Sequence, residues 1–236
     1  MTRVRIPKLK KELCDIKNAD KGGWTETWTS PGKKRDISNF PHPSRVCLIG
    51  PPSTGKSFMC KHLLLHQRPL FKEVYVIHAD ADVTSEYKDI EPTMMLHEFP
   101  DISFWDGKVK TLVICDDVEY SNLNSEQTAR MNKLVRYGSS HKNITLYFTN
   151  QSFFELPSLV RKMCNVFVIW KPRSSTEMKL IASRIGMKPE ALEDIYMNIC
   201  TDYRDSLCID LHHNSPAFLR KNIWHVIEES DNQSIL

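Results

Sequence analysis

Eight residues carry the plainest chemistry in this chain: Gly50-Pro51-Pro52-Ser53-Thr54-Gly55-Lys56-Ser57. The spacing G-x-x-x-x-G-K-S is the phosphate-binding P-loop pattern. Backbone N–H groups of such a loop can wrap a β-phosphate, and the N-terminus of the following helix adds positive dipole. Lys56 is placed to reach the β- and γ-phosphates, and Ser57 to give its hydroxyl to Mg²⁺. Gly50 and Gly55 are expected to supply φ > 0 and close phosphate approach. ATP and Mg²⁺ are therefore the expected ligands.

Two further clusters suit the same chemistry. Asp116-Asp117 closes the apolar run Lys110 to Cys115, with Asp116 standing 59 positions after Ser57. An acid at such a strand tip can hold Mg²⁺, with Asp116 in that role. The adjacent Asp117 can polarise the attacking water. Glutamate is common at this second position; aspartate is one methylene shorter, so Asp117 must approach closer or Glu119 must act instead. Thr149-Asn150-Gln151 ends another apolar run, and Gln151 or Asn150 can sense the γ-phosphate if that strand lies beside the P-loop strand. A ring ATPase also needs an arginine from a neighbouring subunit. Arg136 and Arg161 are the candidates, both expected at the nucleotide edge of the sheet.

The elements that must position these residues are legible as short apolar runs. Val46–Ile49, Glu73–Ala79, Lys110–Cys115, Asn143–Phe148 and Asn165–Trp170 predict five strands. Helices are predicted over Phe58–Gln67, from Asn124 or Ser125 to about Tyr137, over Leu156–Arg161, over Thr176–Arg184 to a stop at Gly186, and over Lys188–Ile199. Ser206–Leu211 and Ala217–Trp224 read as a late hairpin or paired strands. Residues 84–106 give no clear pattern beyond short helix and loop. Strands alternating with helices imply an α/β fold, a doubly wound, mainly parallel sheet flanked by helices, with the P-loop at a strand's C-terminal end. The expected organisation is a basic arm over 1–44, an ATPase domain over 45–225 and a polar tail over 226–236.

Composition sets outer limits. Residues 1–45 carry 11 Lys/Arg against 5 Asp/Glu, and the remainder 21 against 24, so a +6 arm precedes a −3 body. That asymmetry fits nucleic acid or an acidic partner. Trp24 and Trp28 in the arm can pack on the body, dock a neighbour or stack on bases. No apolar run approaches the ~18 residues of a membrane span, so no membrane insertion is expected. Seven cysteines without C-x-x-C spacing read as small buried hydrophobes in a reducing compartment. The histidines, including the His62/His66 pair and His212-His213, build no metal site.

Four segments in this order carry a resemblance: GPPSTGKS, LVICDD, YFTNQ, and Arg136-Tyr137-Gly138-Ser139-Ser140-His141 ahead of the YFTNQ strand. Together, over roughly residues 45–225, they resemble the genome-packaging ATPases of large nucleocytoplasmic DNA viruses and virophages, within the FtsK–HerA superfamily. The resemblance implies an ATP-driven motor that moves double-stranded DNA into a capsid as a homo-oligomeric ring, with capsid or portal proteins as partners. It implies a soluble protein of the host cytoplasm (viral factory) or the virion. By position, Gly50, Gly55, Lys56 and Ser57 match Walker A, Asp116 and Asp117 match Walker B, and Gln151 matches the polar sensor. Such proteins often carry an Arg-His pair where Ser140-His141 stands here, so the arginine is Arg136 or comes from elsewhere. Rival readings are an AAA+ or helicase-type ATPase using Arg184 or Arg220 as sensor, a small-molecule or nucleotide kinase, and a nucleotide-gated assembly protein without turnover.

Overall fold

The computed structural model describes residues 40–227 apart from 68–69, 82–86, 88–89, 91–92, 173, 213–214 and 216–217. The arm features at Trp24 and Trp28, and the tail beyond 227, lie outside the described residues.

Among the described residues nine strands form one sheet: β1 (Arg45–Ile49), β2 (Glu73–Ile77), β3 (Thr93–Leu96), β4 (Thr111–Asp116), β5 (Ile144–Asn150), β6 (Val166–Ile169), β7 (Leu207–Asp210), β8 (Leu219–Lys221) and β9 (His225–Val226). Their order is β3-β2-β4-β5-β1-β6-β7-β8-β9. The run from β3 to β6 is parallel, and β7, β8 and β9 add antiparallel strands to one side. The helices are α1 (Lys56–His66), α2 (Ser125–Lys133), α3 (Ser158–Met163), α4 (Ser175–Ile185) and α5 (Pro189–Ile199). Asn124 caps α2 by accepting from the Gln127 amide, and Ser174 caps α4 through the Glu177 amide. Gly186, left-handed at φ 76°, stops α4 where expected.

The sheet is doubly wound because its strands are apolar on both faces, as parallel strands buried between helices require. Side chains alternate between faces along each strand. Val46, Leu48, Leu112, Ile114, Val166 and Val168 pack with Met59, Cys60, Leu63 and Leu64 of α1. Cys47, Ile49, Val113, Cys115, Leu146 and Phe148 pack on the other face with α2, α3, α4 and α5. The cysteines in these cores are free thiols. No helix among the described residues is long and apolar enough to cross a membrane.

Three departures from the sequence reading have local causes. β3 lies in the stretch read as helix and loop: Thr-Met-Met-Leu on a half-exposed edge shows neither a buried run nor strict alternation. α2 does not end near Tyr137 but passes through a π turn over Leu134–Gly138 into Ser139–His141. Gly138 permits that path, since a Cβ there would sit 2.8 Å from Leu134 Cδ1. The packed body also begins earlier and ends later than 45–225, because Phe40 is fully buried and Ile227 is in the core.

Candidate phosphate site

β1 ends at Ile49, and the loop runs from Gly50 to Ser57 in the first turn of α1. Gly55 adopts φ 102° and Ser53 φ 64°, so the loop turns by two left-handed residues. Gly50 does not have positive φ, contrary to the sequence expectation. Its reason is steric: a Cβ there would lie 2.5 Å from Trp170 Cβ at the end of β6. Trp170 is itself pinned, its amide donating to Ile49 O and its indole to Arg204 O at 3.0 Å. Gly50→Ala is expected to destabilise the fold by about 1–3 kcal/mol through this overpacking. Gly55→Ala meets no atom within 4 Å, so it strains only the backbone. Thermal unfolding of the two variants, with a larger Tm loss for Gly50→Ala, checks this.

The loop is shaped for an anion. Thr54 Oγ1 donates to Pro51 O at 2.9 Å, and Lys56 Nζ donates to Gly50 O at 2.8 Å and Pro51 O at 3.1 Å. The ammonium thus lies inside the loop, and Lys56 is buried. The α1 N-terminus has no side-chain cap and no acid in its first turn, so its positive end has no anionic side chain of its own. This donor set fits a polyphosphate, and Ser57 with Asp116 would hold its Mg²⁺.

Asp116 is the last residue of β4. By alternation it shares the face of Leu112 and Ile114, which is the α1 face, and it is buried. Thr149 Oγ1 of β5 donates to its Oδ1. Asp117 then leaves the strand at φ 45°, exposed, its amide held by Thr149 O at 3.1 Å and Thr149 Oγ1 at 3.3 Å. Left-handed backbone is unusual outside glycine and recurs at functional sites. The two acids therefore sit in different surroundings, one buried against a hydroxyl and one on a turned tip. Glu119, the alternative base, accepts from the Asn122 amide three residues on.

β5 lies between β1 and β4, as the sensor role requires. Ile49 pairs Asn150, and Asp116 pairs Thr149. Asn150 touches both flanking segments: its O accepts from the Gly50 amide at 3.2 Å, and its Nδ2 donates to Val118 O at 3.3 Å. Its Oδ1 is buried without a partner. Gln151 follows at the strand tip, half-buried. Sequence reasoning missed Glu177. This buried carboxylate accepts from Ser152 Oγ at 2.8 Å and from the Phe153 amide, anchoring the chain just past Gln151. Its only sequence signal was an acid in the first turn of α4, which reads as helix capping.

Of the two finger candidates, Arg136 is placed differently from expectation, while Arg161 contacts the loop that leaves β5 at the nucleotide edge. α2 starts beyond the C-terminal end of β4 and its continuation returns to the start of β5. Arg136, exposed, therefore lies toward the opposite edge of the sheet from the P-loop, where neighbouring Val135 O accepts from Arg45 Nε at the start of β1. Arg161 donates to Phe153 O at 3.1 Å and Phe154 O at 3.4 Å, bracing the Gln151 loop from within the chain. The arginines of the AAA+ reading are also engaged. Arg184 bonds the carbonyls of Arg161, Lys162 and Cys164, and Arg220 is fully buried against Asp210 at 2.7 Å. His62 and His66 stack at 4.2 Å beside Trp224, and no group of three or more His, Cys, Asp or Glu could hold a metal among the described residues.

A phosphate loop at the tip of β1, an acid at the tip of β4 and a polar strand tip between them define a P-loop NTPase fold with an extra strand beside the P-loop strand. The fold is shared with solved structures. B204, the DNA-packaging ATPase from Sulfolobus Turreted Icosahedral Virus, superposes with TM-score 0.56 at 20% identity, covering 77% of this chain and 98% of that one. The genome packaging NTPase B204 from Sulfolobus turreted icosahedral virus 2 in complex with ATP-gammaS gives 0.53 at 17% identity, with the same coverage. The pCW3 conjugation coupling protein TcpA, with ATPgS, gives 0.51 at 13% identity over 81% of this chain and 62% of that one. No protein-family model and no curated protein matches the chain.

Proposed function

We propose that this protein is an ATP-driven motor that translocates double-stranded DNA, and that its task is packaging a viral genome into a capsid. The observation that carries the reading is the convergence of Lys56, Asp116 and the Thr149–Gln151 tip at one sheet edge, on a fold shared with a DNA-packaging ATPase. Lys56 and the α1 N-terminus bind and orient the triphosphate. Ser57 and Asp116 hold Mg²⁺, which neutralises phosphate charge when bound. Asp117 orients the attacking water and accepts its proton.

The site works at a subunit interface in a homo-oligomeric ring, where a neighbouring copy adds an arginine to stabilise the transferring phosphoryl charge. Arg161 is tied to carbonyls of its own chain. Arg136 is exposed and remote from its own P-loop, so it can act only on a neighbour's site. Gln151 reports γ-phosphate loss, and the Glu177 anchor passes the movement from the Gln151 loop into α4. Capsid or portal proteins complete the partners.

Hydrolysis assayed with and without duplex DNA, alongside the mass of the assembly, tests this. Duplex DNA is expected to raise turnover several-fold in a ring-sized species. No hydrolysis in the wild type, even with DNA, would leave a nucleotide-gated assembly protein as the better reading.

A further inference from the structure

The charged side chains are unequally divided between the two edges of the sheet. The nucleotide edge carries exposed Asp80, Glu98, Asp117, Glu119 and Asp202 against Lys171 and Arg204. The opposite edge carries Lys72, Lys108, Lys110 and Lys142, in the loops that enter β2, β4 and β5. These three strands are neighbours, so their entry loops stand about 4.8 Å apart in sequence along the edge.

Local backbone features press the loops together. Lys72 N donates to Lys110 O at 2.8 Å, and Lys110 Nζ lies 4.5 Å from the Phe71 ring. Gly107 is left-handed at φ 79°, and a Cβ there would sit 3.1 Å from Lys142 Cα, so glycine lets the two lysine loops touch. Asn143, also left-handed at φ 58°, accepts from the Thr111 amide on its carbonyl at 3.1 Å, and its side-chain Oδ1 lies 2.7 Å from His42 Nε2. Asp106 faces both Lys108 and Lys142, and the four lysines still outnumber the acids beside them. Asp106 is 3.5 Å from Lys108, both largely exposed, and Glu73 accepts from the Tyr75 hydroxyl. An anionic ligand offsets the mutual repulsion of like charges gathered at a surface.

We infer that this lysine edge, Lys72, Lys108, Lys110 and Lys142, grips the phosphate backbone of duplex DNA. The proposal rests on the DNA-motor reading and adds where the DNA is held. Lysine heads on flexible stems suit a row of phosphates and carry no base readout, as a motor that must move along any sequence requires. The six-residue β4 separates this edge from the nucleotide edge by about 20 Å. DNA and nucleotide therefore bind at opposite ends of the same strands.

The test uses the full chain with Lys72, Lys108 and Lys142 replaced by alanine, and a labelled duplex read by fluorescence anisotropy. Lys110 stays because it packs on Phe71. The expected result is at least about a tenfold loss of affinity near 50 mM salt and a log–log salt slope shallower by about 3. Hydrolysis without DNA stays at the wild-type rate, while its stimulation by DNA is lost. Wild-type duplex affinity in the triple variant overturns the proposal. A changed assembly mass with unchanged DNA affinity also overturns it, and makes this edge a subunit contact instead. A wild type that binds no duplex fails at the earlier step, the DNA-motor reading itself.

Discussion

Lys56→Ala is expected to abolish ATP hydrolysis, lowering kcat by at least about 10²–10³-fold, the effect of removing one well-placed charged donor from a phosphoryl-transfer site. The lysine amine sits inside the loop, held by Gly50 O and Pro51 O, at 8% residue exposure. Within that partly desolvated loop a unit charge interacts more strongly than in water. Alanine leaves the α1 N-terminus and the loop amides in place, so weak nucleotide binding persists while the transition-state charge loses its counterion. The fold is retained, since alanine suits the first turn of a helix and the bonds to Gly50 O and Pro51 O are confined to the loop itself. Steady-state hydrolysis with a thermal melt of the same preparation checks both halves. Hydrolysis at the wild-type rate would remove the basis for every role given to this loop.

Asp117→Asn is expected to lower kcat by about 10²-fold, within the range of a lost general base, while nucleotide still binds. The substitution isolates chemistry from structure. Asp117 is exposed and left-handed at φ 45°, a conformation asparagine also tolerates, and its amide bonds to Thr149 are unchanged. Stability should stay within about 0.5 kcal/mol, as for surface changes. Asp116→Asn should behave differently. It removes the charge expected to hold Mg²⁺ beside the Thr149 hydroxyl, so metal-dependent nucleotide affinity falls together with turnover. Single-turnover hydrolysis and binding of a non-hydrolysable analogue separate the two. If Asp117→Asn turns over normally and Glu119→Gln does not, the base is Glu119.

Much of this site is legible in linear sequence because its parts are local. Gly50 to Ser57 is one strand–loop–helix unit, so eight consecutive residues contain nearly the whole anion cradle. Asp116-Asp117 and Thr149–Gln151 are legible because each polar group abruptly ends a buried apolar run. β3 was not, because a half-exposed edge strand needs no strong apolar pattern. The motif gives Gly50 a conformational role, whereas the side chain that requires glycine there is Trp170, 120 positions away. Glu177 was invisible for the same reason: its partners, Ser152 and Phe153, belong to another strand's exit loop.

Residue types and short spacings by themselves determined that the chain carries a phosphate-loop pattern, which lysine and hydroxyl that loop offers, and that alternating strands and helices carry it. Only the tertiary structure decided what shares an edge with that loop. Strand order, which depends on packing and pairing between distant segments, put β5 between β1 and β4 and so joined Asn150 to both the loop and the acid tip. The direction of α2 carried Arg136 away from the nucleotide edge. The same topology gathered lysines from three separate loops at the far end of the strands. Side chains far apart in the chain meet only after the sheet has set their register, so no local pattern can announce them.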